Sequence, residues 1–206
     1  KPRTSNPKPP FTTSTLQQEA ARKLKNSARQ TMSIAQRLYE NGFITYMRTD
    51  STNLSQEAIE GSRKIITNKY GKEFIPEKAK IYSNKVKNAQ EAHEAIRPAH
   101  RSFKSVKEVE KTINKEAAKL YDLIWKRTIA SQMKSAKLKQ TSVTILNQKA
   151  EFKASGQVII FPGYMSAYIE GKDNQNRNLL SKEKNLPKLK EGYNLTCHNL
   201  ESEIHN

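Results

Sequence analysis

From Asn114 to Met133 the chain reads NKEAAKLYDLIWKRTIASQM, and from Lys134 to Leu146 it continues KSAKLKQTSVTIL. In the first stretch Ala117, Leu120, Tyr121, Ile124, Thr128 and Ile129 recur at steps of three and four, the spacing of one buried helix face. In the second, Thr141, Val143 and Ile145 alternate with Ser142, Thr144 and Leu146, the two-residue period of a strand. The period changes near Lys137. A helical block is therefore expected to about residue 137 and a β block over 138–206, which makes the fold class α+β.

Upstream, the same reading predicts five further helical pieces. Ser14 or Thr15, with Gln17 or Gln18 three residues on, predicts a capped helix over Leu16 to Lys25. A second is expected from Ala28 to Tyr39, with Met32, Ala35, Leu38 and Tyr39 inward and Asn41-Gly42 as a left-handed stop. Ser55 caps a third, with Ala58, Ile59, Ile65 and Ile66 inward, and Ser105 with Glu108 forms a capping box for a short fourth. Phe43-Ile44-Thr45-Tyr46-Met47 is aromatic and β-branched and predicts a short buried strand. Residues 72–87 read as a loop, and Ala89 to Ile96 as two helical turns ended by Pro98. Residues 1–10 hold four of the eight prolines and read as an extended, mobile linker. Downstream, Phe152 to Gly156, Val158 to Phe161 before Pro162-Gly163, and alternating Tyr193, Leu195 and Cys197 are further strand candidates. So thin a sheet suggests a piece of a longer protein, with partner strands elsewhere.

Charge points to the partner. The chain of 206 residues carries 37 Lys/Arg against 20 Asp/Glu, a net charge of +17, and its mean hydropathy is −0.85. Residues 1–137 hold 28 basic against 13 acidic side chains, a surplus of 15, and residues 138–206 hold 9 against 7, a surplus of 2. So localised a positive field attracts polyanions, and nucleic acid is the natural one. No window reaches the ~18 uninterrupted apolar residues of a membrane helix, and no membrane role is expected. Lys1-Pro2-Arg3-Thr4 has no leader pattern. The single Cys197 excludes an internal disulfide framework and a Cys-cluster zinc site, so a reducing, cytoplasmic setting is expected.

The chemistry centres on Tyr46. In a strand, side chains two apart share a face, so Tyr46, Arg48 and Asp50 point together. A phenol ionises near pH ~10 and is a poor nucleophile at neutrality. A guanidinium beside it favours phenolate and an attacked phosphate alike, and its planar fork holds two phosphate oxygens at once. Asp50 is placed to orient Arg48 from behind. A tyrosine in a strand also packs routinely in cores, so pattern alone leaves both readings open. His93, in Gln90-Glu91-Ala92-His93-Glu94-Ala95-Ile96-Arg97-Pro98, fails the HExxH zinc spacing because Arg97 stands where a second His is needed. It suits a phosphate hydrogen bond or a proton shuttle, or a plain structural role in which Glu91 or Glu94 pairs with it or with Arg97. No metal ligand set is expected in the chain.

Three blocks together carry a resemblance. Pro10-Phe11-Thr12-Thr13-Ser14-Thr15-Leu16-Gln17-Gln18, then Gly42 to Ser51, then Ala92-His93-Glu94-Ala95-Ile96-Arg97-Pro98, resemble the bacterial type IA DNA topoisomerase I family in the family's order. The similarity is dense from Pro10 to about Met133 and looser through the β block. It implies that residues 11–137 form a helical, helix-turn-helix-like domain bearing the catalytic tyrosine, and that 138–206 form part of an antiparallel β arch, or gate. It implies that Tyr46 cleaves one DNA strand through a 5′-phosphotyrosine, that Arg48 positions the phosphate, and that His93 helps hold it. Thr45, Asp50 and Arg97 are implied only as neighbours or DNA contacts. ATP-independent resealing and relaxation of negative supercoils follow. The family's Mg²⁺ belongs to a Toprim domain, and this chain has no counterpart of it. Gate-supporting domains and C-terminal zinc ribbons are also without counterpart here. The segment alone is therefore expected to be inactive, a part of a nucleoid-associated enzyme whose partners are single-stranded DNA and those other domains.

Two other readings compete. A non-catalytic helix-turn-helix module would grip DNA through its basic surface and keep Tyr46 as packing. A recombinase or type IB topoisomerase places an Arg and a His-x-x-Arg box before its tyrosine, whereas His93 and Arg97 follow Tyr46.

Overall fold

In a computed structural model, the structure describes residues 1–82, 94–148, 150–168, 186–187, 189–197 and 199. Five helices, α1 (Thr13–Leu24), α2 (Ala28–Glu40), α3 (Gln56–Lys69), α4 (Val106–Thr112) and α5 (Lys115–Ser131), precede a β hairpin. Its arms are β2 (Ala136–Asn147) and β3 (Ala150–Phe161), and β1 (Pro2–Ser5) joins them from the start of the chain. The sheet is antiparallel throughout, in the order β1-β2-β3. The fold is α+β.

Side chains that the sequence places before each helix begin it. Ser27 with Gln30 and Ser105 with Glu108 make reciprocal capping boxes, and Ser55 and Asn114 cap α3 and α5; each satisfies N–H groups that the helix itself leaves unpaired. α1 differs from expectation: its cap is Thr12, boxed with Thr15, and the helix begins at Thr13. Thr12 wins because its hydroxyl can reach the Thr15 amide while the Thr15 hydroxyl takes the Thr12 N–H, at 3.3 and 2.9 Å. Gly42, at φ +70°, ends α2 with its N–H on the Tyr39 carbonyl, a conformation costly for any residue with a Cβ.

α5, about 25 Å long, is the axis of the helical body. Ala117, Leu120, Tyr121, Ile124, Thr128 and Ile129 are all buried as their spacing requires. Ala117, Leu120, Tyr121 and Ile124 pack with Phe11, Leu16, Leu38 and Ile96 in the main core, while Ile66, Ile129 and Met133 form a smaller cluster. Trp125 touches both. The segments that follow β1 and β3 are tied to the helices by polar groups. Tyr168 donates to the buried Glu19 carboxylate at 2.8 Å, Arg127 donates to the Pro9 carbonyl at 2.6 Å, and Lys23 lies over the Tyr168 ring. Burial lowers the Lys23 ammonium below the usual lysine range, and Glu19 opposes that shift.

Four expectations fail, each for a local reason. Pro2–Ser5 is extended but pairs with Ala136–Lys139; β2 offers an open edge and Pro2 sits at the strand's first residue, where its missing N–H is tolerated. Tyr193, Leu195 and Cys197 form no strand; they are exposed, and Gly192 at φ +83° turns the chain just before them. Glu94–Ile96 is extended, not helical, because Ile96 bridges to Phe11; residues 89–93 of that expected turn lie outside the described residues. Phe43–Met47 makes a single bridge, Ile44 to Pro98, in place of a strand.

Candidate functional site

That failed strand is the site's framework. Hydroxyl groups take places that a ladder would give to backbone. Thr45 N donates to the Arg97 carbonyl at 2.9 Å, the Thr45 hydroxyl donates to the Ala95 carbonyl at 2.7 Å, and Arg97 N donates back to that hydroxyl at 3.0 Å. Ala99 N donates to the Phe43 carbonyl at 2.8 Å, and Ile96 N to the Phe11 carbonyl at 2.8 Å. Thr13, in the first turn of α1, closes the ring of segments: its hydroxyl donates to the Met47 carbonyl at 2.8 Å and accepts from Thr49 N at 2.9 Å. Residues 11–13, 43–49 and 94–99 are thereby one hydrogen-bonded unit.

The loop alternates although it is not a strand. Phe43, Ile44 and Met47 are buried, while Tyr46, Arg48 and Asp50 are exposed. Tyr46 is 44% exposed and makes a T-shaped contact with Tyr39, with ring centroids 5.3 Å apart and planes at 69°. Among the described residues Arg48 enters no ion pair, so Asp50 does not hold it.

Of the chain's eight tyrosines, most are disqualified as nucleophiles by their surroundings. Tyr121 donates to the Lys104 carbonyl and Tyr82 to the Ser131 carbonyl, both at 2.8 Å. Burial raises both phenols, Tyr82 to about 12. Tyr168 is spent on Glu19 and Tyr164 on Ser5, and burial raises Tyr70. Exposed rings remain at Tyr39, Tyr46 and Tyr193. Arg37 stands two residues before Tyr39, but on helix α2, where side chains two apart do not face each other, whereas Arg48 stands two residues after Tyr46 on the same loop and is exposed like it.

Arg97 faces inward and is buried. Its guanidinium donates to Glu94 through Nε at 3.2 Å and Nη2 at 2.7 Å, to the Pro98 carbonyl at 2.9 Å and to the Ser55 hydroxyl at 3.2 Å. Glu94 in turn accepts from Ser55 N at 2.6 Å, so the pair fastens the 94–99 segment to the start of α3. Half-burial pushes the Glu94 carboxyl up, but hydrogen bonds from Arg97 and Ser55 outweigh it and hold it below the usual carboxylate range. A carboxyl lowered in the folded state stabilises above its unfolded value of about 4.3, and that stability is lost as pH falls through the folded value. Arg97→Ala should therefore destabilise the fold by on the order of 2 kcal/mol at pH 7, less than the roughly 3–5 kcal/mol of a fully buried pair because Glu94 remains partly wet. Thermal melts at pH 7 and pH 3 check this: the gap between wild type and variant should narrow in acid.

His93 lies outside the described residues. Among the described residues no three His, Cys, Asp or Glu side chains converge to hold a metal ion, so they do not fit an Mg²⁺ site. Nor is any helix among them long and apolar enough to cross a membrane. Sequence reasoning missed Thr13 and Tyr39, and it offered Glu94 as an ion-pair partner of His93 or Arg97, of which the structure shows the pair with Arg97. Thr13 stood in the sequence only as one member of the Pro10 to Gln18 block, just before the expected cap at Ser14 or Thr15; Tyr39, expected inward, is 43% exposed.

Comparison with known proteins gives a consistent picture. A family model described as DNA topoisomerase matches residues 1–206. The chain is 53% identical over 200 residues to DNA topoisomerase 1 of Synechococcus elongatus, covering 97% of this chain and 22% of that protein. It is 48% identical over 210 residues to DNA topoisomerase 1 of Streptomyces coelicolor, again 22% of the relative. The structure of full-length topoisomerase I from Thermotoga maritima aligns with a TM-score of 0.70 at 41% identity, over 81% of this chain and 28% of that one. The chain thus spans about a fifth of the curated relatives.

Proposed function

The chain belongs to the DNA topoisomerase family, and from that premise we propose that it carries the strand-breaking tyrosine of a type IA enzyme. The Tyr46 phenolic oxygen attacks a phosphodiester of single-stranded DNA. An O–P bond to Tyr46 forms as the bond to the 3′ oxygen breaks; the phenol gives up its proton and the leaving 3′ oxygen gains one. The product is a 5′-phosphotyrosine with a free 3′-hydroxyl, and because one ester replaces another, resealing is the reverse step and needs no nucleotide. Arg48 neutralises the pentacoordinate phosphate with its fork. His93 is a second phosphate ligand in this reading. Thr45 and Arg97 fix the loop that carries Tyr46, and Asp50 is left for contact with the DNA.

The observation that carries the proposal is the presentation of Tyr46 and Arg48 at the surface, with Met47 between them buried. Residues 11–137 are read as the tyrosine domain and 138–206 as part of the gate. The complete polypeptide, several times longer in relatives, relaxes negative supercoils in the cytoplasm, with Mg²⁺ held by its Toprim domain. This segment alone does not.

Covalent capture of a labelled single-stranded oligonucleotide by the full-length polypeptide, read as a protein–DNA adduct after denaturation, tests the reading directly. Non-covalent affinity supplies a second check. The association constant should fall steeply with salt, each neutralised phosphate contributing about −0.7 to the log–log slope; an affinity indifferent to salt would contradict the role given to the basic surface.

A further inference from the structure

Tyr39 stands in the last turn of α2, with its ring in a T-shaped pair with Tyr46 at the surface. The backbone around both is fixed. Gly42 N donates to the Tyr39 carbonyl and Phe43 N to the Leu38 carbonyl, each at 2.9 Å. On either side of Tyr46, Thr45 is bound to Arg97 and the Met47 carbonyl to Thr13. The Cα of Tyr46 is thereby set, and what remains is rotation about its two side-chain torsions. Among the described residues Tyr39 is the one ring that Tyr46 meets. From this juxtaposition we infer that Tyr39 is a positioning residue, holding the Tyr46 ring in the orientation from which its oxygen reaches the phosphate; the inference rests on the reading of Tyr46 as nucleophile.

The physical basis is the ring quadrupole. An edge-to-face pair sets the positive rim of one ring against the negative face of the other, an arrangement lost when either ring turns. In-line attack needs the oxygen within about 3–3.5 Å of phosphorus and aligned with the leaving bond. A phenol free to visit several rotamers spends only a fraction of its time so placed, and the rate falls by that fraction. The contact uses the ring of Tyr39 and not its hydroxyl.

Single-turnover cleavage of a single-stranded oligonucleotide by the full-length polypeptide tests this, with the affinity of the same oligonucleotide and the melting temperature measured alongside. Tyr39→Ala should slow cleavage by about 10- to 100-fold with affinity and melting temperature unchanged, and Tyr39→Phe should restore the wild-type rate. Wild-type cleavage by Tyr39→Ala overturns the inference. So does an affinity loss equal to the rate loss, which would make Tyr39 a DNA contact, and so does a Tyr39→Phe as slow as the alanine. Tyr46→Phe, run in parallel, separates the two levels. If it still forms the adduct, the nucleophile reading itself fails; if it is dead while Tyr39→Ala is fast, only the positioning role fails.

Discussion

Tyr46→Phe abolishes covalent capture of single-stranded DNA by the full-length polypeptide and leaves its fold and its non-covalent DNA affinity intact. The substitution deletes one oxygen from a ring that is 44% exposed. Among the described residues that oxygen takes no hydrogen bond, so no buried partner is orphaned by its loss. The phenyl ring retains the edge contact with Tyr39, and surface changes of this kind move stability by about 0.5 kcal/mol or less. Loss of the adduct with unchanged melting and binding therefore isolates the nucleophile. Had Tyr46 been packing in a non-covalent module, no adduct would form in the wild type either, and the variant would behave identically. A Tyr46→Phe protein that still yields an adduct would assign the nucleophile to another hydroxyl, with the exposed Tyr39 the first to test.

How far this was legible in the sequence depends on what each element is made of. α5 was legible because a helix buried along one face writes its period in residue types, and Ser55 and Ser105 because a cap needs a short hydroxyl at one fixed place. Phe43–Met47 was misread because composition reports burial, whereas a strand needs a partner. Here the partners are the Thr45 and Thr13 hydroxyls and a six-residue segment some fifty residues away, and nothing local encodes that. Pro2–Ser5 was misread in the opposite sense: prolines argue against a central strand but permit an edge. In the site, Tyr46 and Arg48 stood out through the resemblance of three blocks, and their outward placement needed the structure. The orientation of Arg97 could not be read at all. An arginine three residues after a glutamate reads the same whether the pair is solvated or, as here, wedged beneath the start of α3.

Arg48→Ala should lower the single-turnover cleavage rate of the full-length polypeptide by about 10²–10³, roughly 2.7–4 kcal/mol of transition-state stabilisation, with melting temperature unchanged. The magnitude is that of removing one donor from a preorganised anion site. Arg48 is exposed and enters no ion pair among the described residues, so truncation strands no carboxylate and stability is spared. The loss falls on the chemical step because charge on the phosphate oxygens grows as the phenolic oxygen closes on phosphorus, and donors aimed at that charge act more strongly then than in the ground state. Oligonucleotide affinity, spread over many phosphates and a surplus of 15 basic side chains in residues 1–137, should change far less than the rate. Arg48→Lys discriminates charge from shape. An ammonium restores the charge but holds phosphate oxygens without the planar two-point grip, so it should recover only part of the loss. Full recovery by lysine would reduce Arg48 to a point charge, and equal losses of affinity and rate in Arg48→Ala would make it one binding contact among many, with the stabilisation of the attacked phosphate supplied by other groups.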